Sequence, residues 1–144
     1  MTDQIEIERE VAASPDAVFE AWTRADSFAQ WFGTRAVEVP ADRLDFVAEA
    51  GRPWTATMVL PDGNTIDWAG EFREVTAPSR LVFTLTDRPA DPARAAVTVD
   101  LTAVGDGTHA RMTQETPGFT AEQQQGLVAG WQGFLDVLTE IAES

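Results

Sequence analysis

Residues 120–144, TAEQQQGLVAGWQGFLDVLTEIAES, decide how this chain folds. Leu127, Val128, Trp131, Phe134, Leu135, Leu138, Ile141 and Ala142 fall at helical spacing and form one apolar face. Thr120 stands where an N-cap belongs, and Gln123 completes a capping box three residues later. The pattern predicts a helix over Ala121–Glu143, about 34 Å long at the rise of an α-helix, enough to cross a small domain. Gly126, Gly130 and Gly133 lie inside it, each costing about 1 kcal/mol relative to alanine. Two explanations are open: close packing of the helix on a sheet, or space left beside Trp131. Glu140 and Glu143 oppose the helix dipole in the last turn and predict a frayed end.

Upstream of this helix the apolar period falls to two. Ile5, Ile7 and Val11 alternate with Glu6, Glu8 and Glu10, as in a half-buried first strand. Ser14-Pro15 opens a short helix, with serine as cap and proline in the first turn, and Val18, Phe19 and Trp22 make its apolar side. Asp26 is the expected cap of a second short helix bearing Phe28, Trp31 and Phe32, stopped by Gly33. Alternation resumes through Leu44, Phe46 and Ala48, then Trp54, Ala56, Met58 and Leu60, then Ile66, Trp68, Gly70 and Phe72. Further strands carry Leu81, Phe83 and Leu85, then Val97, Val99 and Leu101, then Ala110, Met112 and Gln114. The turns at Pro61–Asn64, Pro78-Ser79 and Gly105–Gly107 are too short for crossovers, so antiparallel pairing is expected. Asp87–Arg94 holds two prolines and four charges and reads as an exposed loop.

Composition narrows the function classes. The 144 residues fit a single domain over residues 1–144 with a sizeable core. Cysteine is absent, which excludes disulfides, thiolate metal sites and cysteine nucleophiles. The net charge is −14, and every one of the ten basic residues is a singly scattered arginine. Such a chain repels phosphate backbones, so no nucleic-acid partner is expected, and Schiff-base and P-loop chemistry are excluded with lysine. No apolar run is long enough to span a membrane. Met1–Glu10 is polar and acidic, unlike a signal peptide, so a cytoplasmic location is expected.

Several stretches resemble the START-like (SRPBCC) superfamily. Ser14–Thr23 followed by Phe28–Gly33 looks like its opening, and Gly70–Val75 with Pro78 and Arg80–Thr84 like its central hairpin. Val97–Val99 through Thr113-Gln114 resembles its last strands, and Gly130-Trp131 with Leu135 and Leu138 its closing helix. More narrowly, the chain is similar to the branch homologous to the C-terminal domain of heat-shock-protein-90 ATPase activators. The resemblance implies an α+β helix-grip fold: a curved antiparallel sheet around the C-terminal helix, two short helices after the first strand, and an apolar cavity between. It leaves function open, because superfamily members include lipid carriers, cyclases, resistance proteins and co-chaperone domains.

Candidate chemistry is sparse. His109, the only histidine, is expected on the surface near a turn, and no metal, cofactor or catalytic residue is expected. Arg9 shares the inward face of Ile5 and Ile7 and therefore needs a partner. Glu74 is one candidate, and a ligand carboxylate or phenolate is the other. Gln114 shares the face of Met112 and offers a neutral hydrogen bond. Trp54, Met58, Trp68, Phe72, Phe83, Met112, Trp131 and Phe134 project inward and would line an oily pocket. The leading expectation is non-catalytic binding of a small hydrophobic ligand, aromatic or polyketide-like. The alternatives are a chaperone-activating interaction module and a cyclase- or hydratase-type enzyme using Glu74 as base near Arg9. A co-chaperone role is discounted because these residues include no counterpart of the activators' additional N-terminal domain. An exposed sheet edge leaves a homodimer open.

Overall fold

A computed structural model describes residues 3–144 of the chain. Met1 and Thr2, which open the acidic N-terminal stretch, lie outside the described residues. The first strand, β1 (Gln4–Val11), leads into α1 (Pro15–Thr23) and α2 (Ala25–Trp31). A single 3-10 turn (Ala41–Arg43) precedes β2 (Pro53–Val59), β3 (Thr65–Thr76), β4 (Arg80–Leu85), β5 (Ala95–Val104) and β6 (Gly107–Glu115). The long helix α3 (Ala121–Glu143) follows. The six strands form one antiparallel sheet in the order β1-β6-β5-β4-β3-β2, and α3 packs against α1, α2 and β1. The architecture is the α+β arrangement of a curved sheet with a long C-terminal helix.

Local chemistry sets most boundaries. Ser14 Oγ accepts the Ala17 N–H at 3.2 Å, and the Thr120–Gln123 capping box is complete in both directions. Asp26 does not cap α2. Arg24 is the only residue between the two short helices and serves both as C-cap of α1 and N-cap of α2. The Asp26 carboxylate instead sits in the first turn, accepting the Ser27 N–H at 2.9 Å and pairing with Arg24 at 3.2 Å, which holds its pKa down.

Three expectations change on tertiary grounds. Leu44, Phe46 and Ala48 do not form a strand. Pro40 and the 3-10 turn interrupt the segment, whose backbone pairs with β2 only through isolated bridges at Glu38–Val59 and Asp45–Thr55. Phe46 is still buried, stacked on Phe28 with ring centroids 4.0 Å apart. Next, β3 carries a bulge: Phe72 faces Phe83, but Glu74 faces Val82. The extra residue reverses the parity of the strand, so Val75 packs on the core opposite Leu81 and Glu74 turns off the inward face. Lastly, the end of α3 is tied down. Glu140 pairs with Arg35, and Glu143 accepts the Ala12 N–H at 2.8 Å, so specific partners offset the unfavourable dipole.

Gly70 is required by close approach. Trp54 Nε1 donates to the Thr84 carbonyl at 3.0 Å, and a Cβ at Gly70 would overlap that same carbonyl oxygen. Gly70→Ala is therefore expected to lower unfolding free energy by about 3 kcal/mol in urea denaturation, through forced separation of β3 from β4. A loss below about 0.5 kcal/mol would show that the strands part freely there.

Candidate ligand-binding cavity

The glycines of α3 divide into two kinds. A Cβ at Gly133 would lie 3.3 Å from Thr34 Cγ2, so this glycine serves packing. A Cβ at Gly126 or Gly130 would meet nothing within 4 Å. These two open onto a cavity of about 590 Å³ between the first half of α3 and the adjoining ends of the strands. From α3 come Leu127, Trp131 and Phe134, from the sheet Trp68, Leu85, Ala95 and Gln114, and from the end of α2 Phe32. Pro117 and Phe119 flank it before α3, and the loop between β4 and β5 closes the mouth with Asp87, Arg88, Asp91 and Arg94.

Of the residues expected to line a pocket, Trp68, Gln114, Trp131 and Phe134 do so. Trp54, Met58, Phe72, Phe83 and Met112 lie in the sealed core, none more than 5% exposed and none on the cavity wall. The reason is the two short helices. Their Trp22, Phe28, Trp31 and Phe32 fill the space over the middle of the sheet, with Phe28 5.5 Å from Trp54 and Trp22 6.4 Å from Phe83, ring centre to ring centre. The hollow is thereby displaced to one end. Residues that strand parity did not single out, Phe32, Leu85, Phe119, Leu127, Arg88 and Arg94, complete it. The signals were present in the sequence: two glycines one helical turn apart, and a charged proline-bearing loop.

Arg9 and Glu74 do not meet, which corrects the expected ion pair and leaves the proposed base–arginine arrangement without geometry. Arg9 reaches α3, donating to Asp136 Oδ1 at 2.8 Å and Gln132 Oε1 at 2.5 Å. Glu74 pairs with Arg80 at 3.3 Å and accepts from Thr76 Oγ1 at 3.1 Å. Four strand spacings separate β1 from β3, about 19 Å. Neither residue lines the cavity.

Within the cavity one polar contact is fixed. Trp131 Nε1 donates to Gln114 Oε1 at 2.6 Å, and both residues are buried. The Trp68 Nε1 atom is also buried, without a hydrogen-bond partner among the described residues. The mouth loop braces itself: Arg94 donates to the carbonyls of Asp91, Ala93 and Pro89, and Asp91 Oδ1 accepts the Ala93 N–H at 2.8 Å. Among the described residues no group of three His, Asp or Glu side chains converges as metal ligands would.

Known proteins place this geometry in context. The family described as Activator of Hsp90 ATPase homolog 1-like protein matches residues 12–143. Among curated proteins there is no match. An AHSA1-like protein from Aeromonas hydrophila is 29% identical, with a TM-score of 0.79 over 97% of this chain and 92% of that one. The AHSA1 protein from Silicibacter pomeroyi is 25% identical, with a TM-score of 0.81 over 95% of each chain. A protein from Chromobacterium violaceum shares the fold at 19% identity, with a TM-score of 0.86 over 100% of this chain and 99% of that one.

His109 lies away from the cavity, on the outward face. It contacts Glu10 through Nδ1 and Glu8 through Nε2, the latter at 3.2 Å. Hydrogen bonds to Glu10 and then Glu8 raise its pKa above the ordinary 6.5. The protonated form is thus favoured by folding, so its contribution to stability is complete below about 6.5 and is lost as pH rises through the folded-state value. As the only histidine, His109 gives one unambiguous imidazole signal. Its NMR titration midpoint is expected above 6.5 and should return toward it in Glu10→Gln. An unchanged midpoint in that variant would remove Glu10 as the cause.

Proposed function

The chain belongs to the Activator of Hsp90 ATPase homolog 1-like family, and from that premise we propose that it binds a small, flat, hydrophobic molecule in the cavity between the sheet and α3. The observation that carries this reading is the empty space beside Gly126 and Gly130. Each glycine costs the helix about 1 kcal/mol, and neither recovers it by packing. A volume of about 590 Å³ is within the range of small-molecule sites. The rings of Phe32, Trp68, Trp131 and Phe134 form its apolar walls. A two- or three-ring compound burying about 300 Å² of apolar surface would gain roughly 7 kcal/mol before the cost of immobilisation. No catalytic residue is assigned, since no wall residue repeats an acid–base or nucleophile arrangement.

The family's description favours a second reading, in which the protein docks on an Hsp90-type chaperone and stimulates its ATPase. Occluding the cavity separates the two. Gly130→Leu is expected to weaken binding of the neutral fluorescent probe N-phenyl-1-naphthylamine at least tenfold while leaving the fold intact. Gly130→Ala, adding one methyl in open space, should raise stability by up to about 1 kcal/mol. Undiminished probe binding by the leucine variant would end the cavity reading. Stimulation of a chaperone ATPase equally by wild type and Gly130→Leu would favour the docking reading instead.

A further inference from the structure

We infer that the molecule taken by this cavity is uncharged and carries a carbonyl-type acceptor, as in a planar ketone or quinone, held by the side-chain amide of Gln114; this rests on the cavity being a binding site. Polar groups around it sort by depth. In the interior one neutral donor is within reach of a molecule in the cavity, the side-chain amide of Gln114. Gln114 is 4% exposed, and its oxygen is already taken by Trp131 Nε1 at 2.6 Å. Its amide nitrogen has no hydrogen-bond partner among the described residues and is not among the polar atoms sealed from solvent, so it opens onto the space that Gln114 lines. Trp68 Nε1 also lacks an acceptor among the described residues, but it is sealed from the open space and offers nothing to a molecule there. With its oxygen committed, the Gln114 amide can only donate, so it calls for an acceptor from outside.

Charges, by contrast, are confined to the rim. Arg94 is committed to the loop carbonyls, Glu115 Oε1 accepts the Ala96 N–H at 3.0 Å, and Asp91 Oδ1 accepts the Ala93 N–H at 2.8 Å. Asp87 and Arg88 stand side by side with no ion-pair partner among the described residues, and acids outnumber arginines around the mouth. A carboxylate drawn into the interior would lose its water and find no cation, whereas a carbonyl oxygen finds a neutral donor in the Gln114 amide. The chain's net charge of −14 disfavours an anion further.

Three naphthalenes of nearly equal shape test this: 2-acetonaphthone, 2-naphthoate and 2-ethylnaphthalene, titrated at pH 7 by tryptophan-fluorescence quenching. The ketone is expected to bind about tenfold more tightly than either of the others. Gln114→Glu keeps an acceptor for Trp131 and withdraws the donor. It should abolish the preference for the ketone, read as the ratio of ketone to 2-ethylnaphthalene affinity within the variant. Gln114→Met, uncharged and also without the donor, makes the same comparison where the glutamate variant does not fold. Equal binding of ketone and hydrocarbon by wild type would overturn the inference and leave the cavity reading standing. Tightest binding of 2-naphthoate would overturn it by moving the contact to Arg88. No saturable binding of any of the three would overturn it together with the cavity reading.

Discussion

Trp131 is the point at which the long helix is fastened to the sheet. Its indole N–H is held by Gln114 on β6, and its ring packs 6.0 Å from Trp22 and 6.1 Å from Trp31, centroid to centroid. The two halves of α3 on either side of this fastening behave oppositely. Toward the C-terminus, Leu135, Leu138 and Ala142 are buried, and the flank is stapled by Arg9–Asp136, Arg35–Glu140 and the Glu143–Ala12 bond. Toward the N-terminus, Gly126 and Gly130 face open space. One helix is thus at once a core element and a cavity wall. The division falls within the turn from Trp131 to Phe134, both of which line the cavity.

Most features governed by neighbours in sequence were legible from the sequence, the cap of α2 at Arg24 in place of Asp26 being the exception. The Ser14 cap, the Thr120–Gln123 capping box and the turns depend on hydrogen bonds within about four residues, and the strand periods depend on one buried face. Features set by the meeting of distant elements were not. The bulge opposite Phe83 has no local signature in Gly70–Val75, yet it reverses parity and sends Glu74 to Arg80. Arg9 was rightly placed on the inward face, but its partners sit 123 and 127 residues away on α3. The site itself was half legible. Glycine spacing marked the hollow, whereas strand parity alone could not reveal that the α1–α2 aromatics already occupy the middle of the sheet.

The acidic surface has its own logic. On the outward face, Glu6–Arg111, His109 with Glu8 and Glu10, and Arg80 with Glu74 and Asp100 cross from strand to strand. Exposed pairs of this kind add little stability individually. Their placement counts more at the edges. Isolated bridges from the 38–45 segment cover β2, while β1 presents Glu6, Glu8 and Glu10 along the open side. Antiparallel addition of a second copy at β1 would set carboxylates opposite carboxylates, so the net charge discourages edge pairing where no segment blocks it.

In the proposed binding mode, Gln114 ties binding to folding. An indole nitrogen can only donate, so the bond from Trp131 requires the amide oxygen, not its nitrogen, on that side. The amide cannot turn over without leaving two buried donors face to face. The strand pairing with Ile5 on one side and Val97 on the other fixes the backbone beneath it. The direction of the amide N–H group is therefore set by the fold, and in the proposed binding mode little orientational entropy would be lost when an acceptor met it. The oxygen of this side chain serves the fold, so the interaction that anchors α3 also orients the nitrogen beside it.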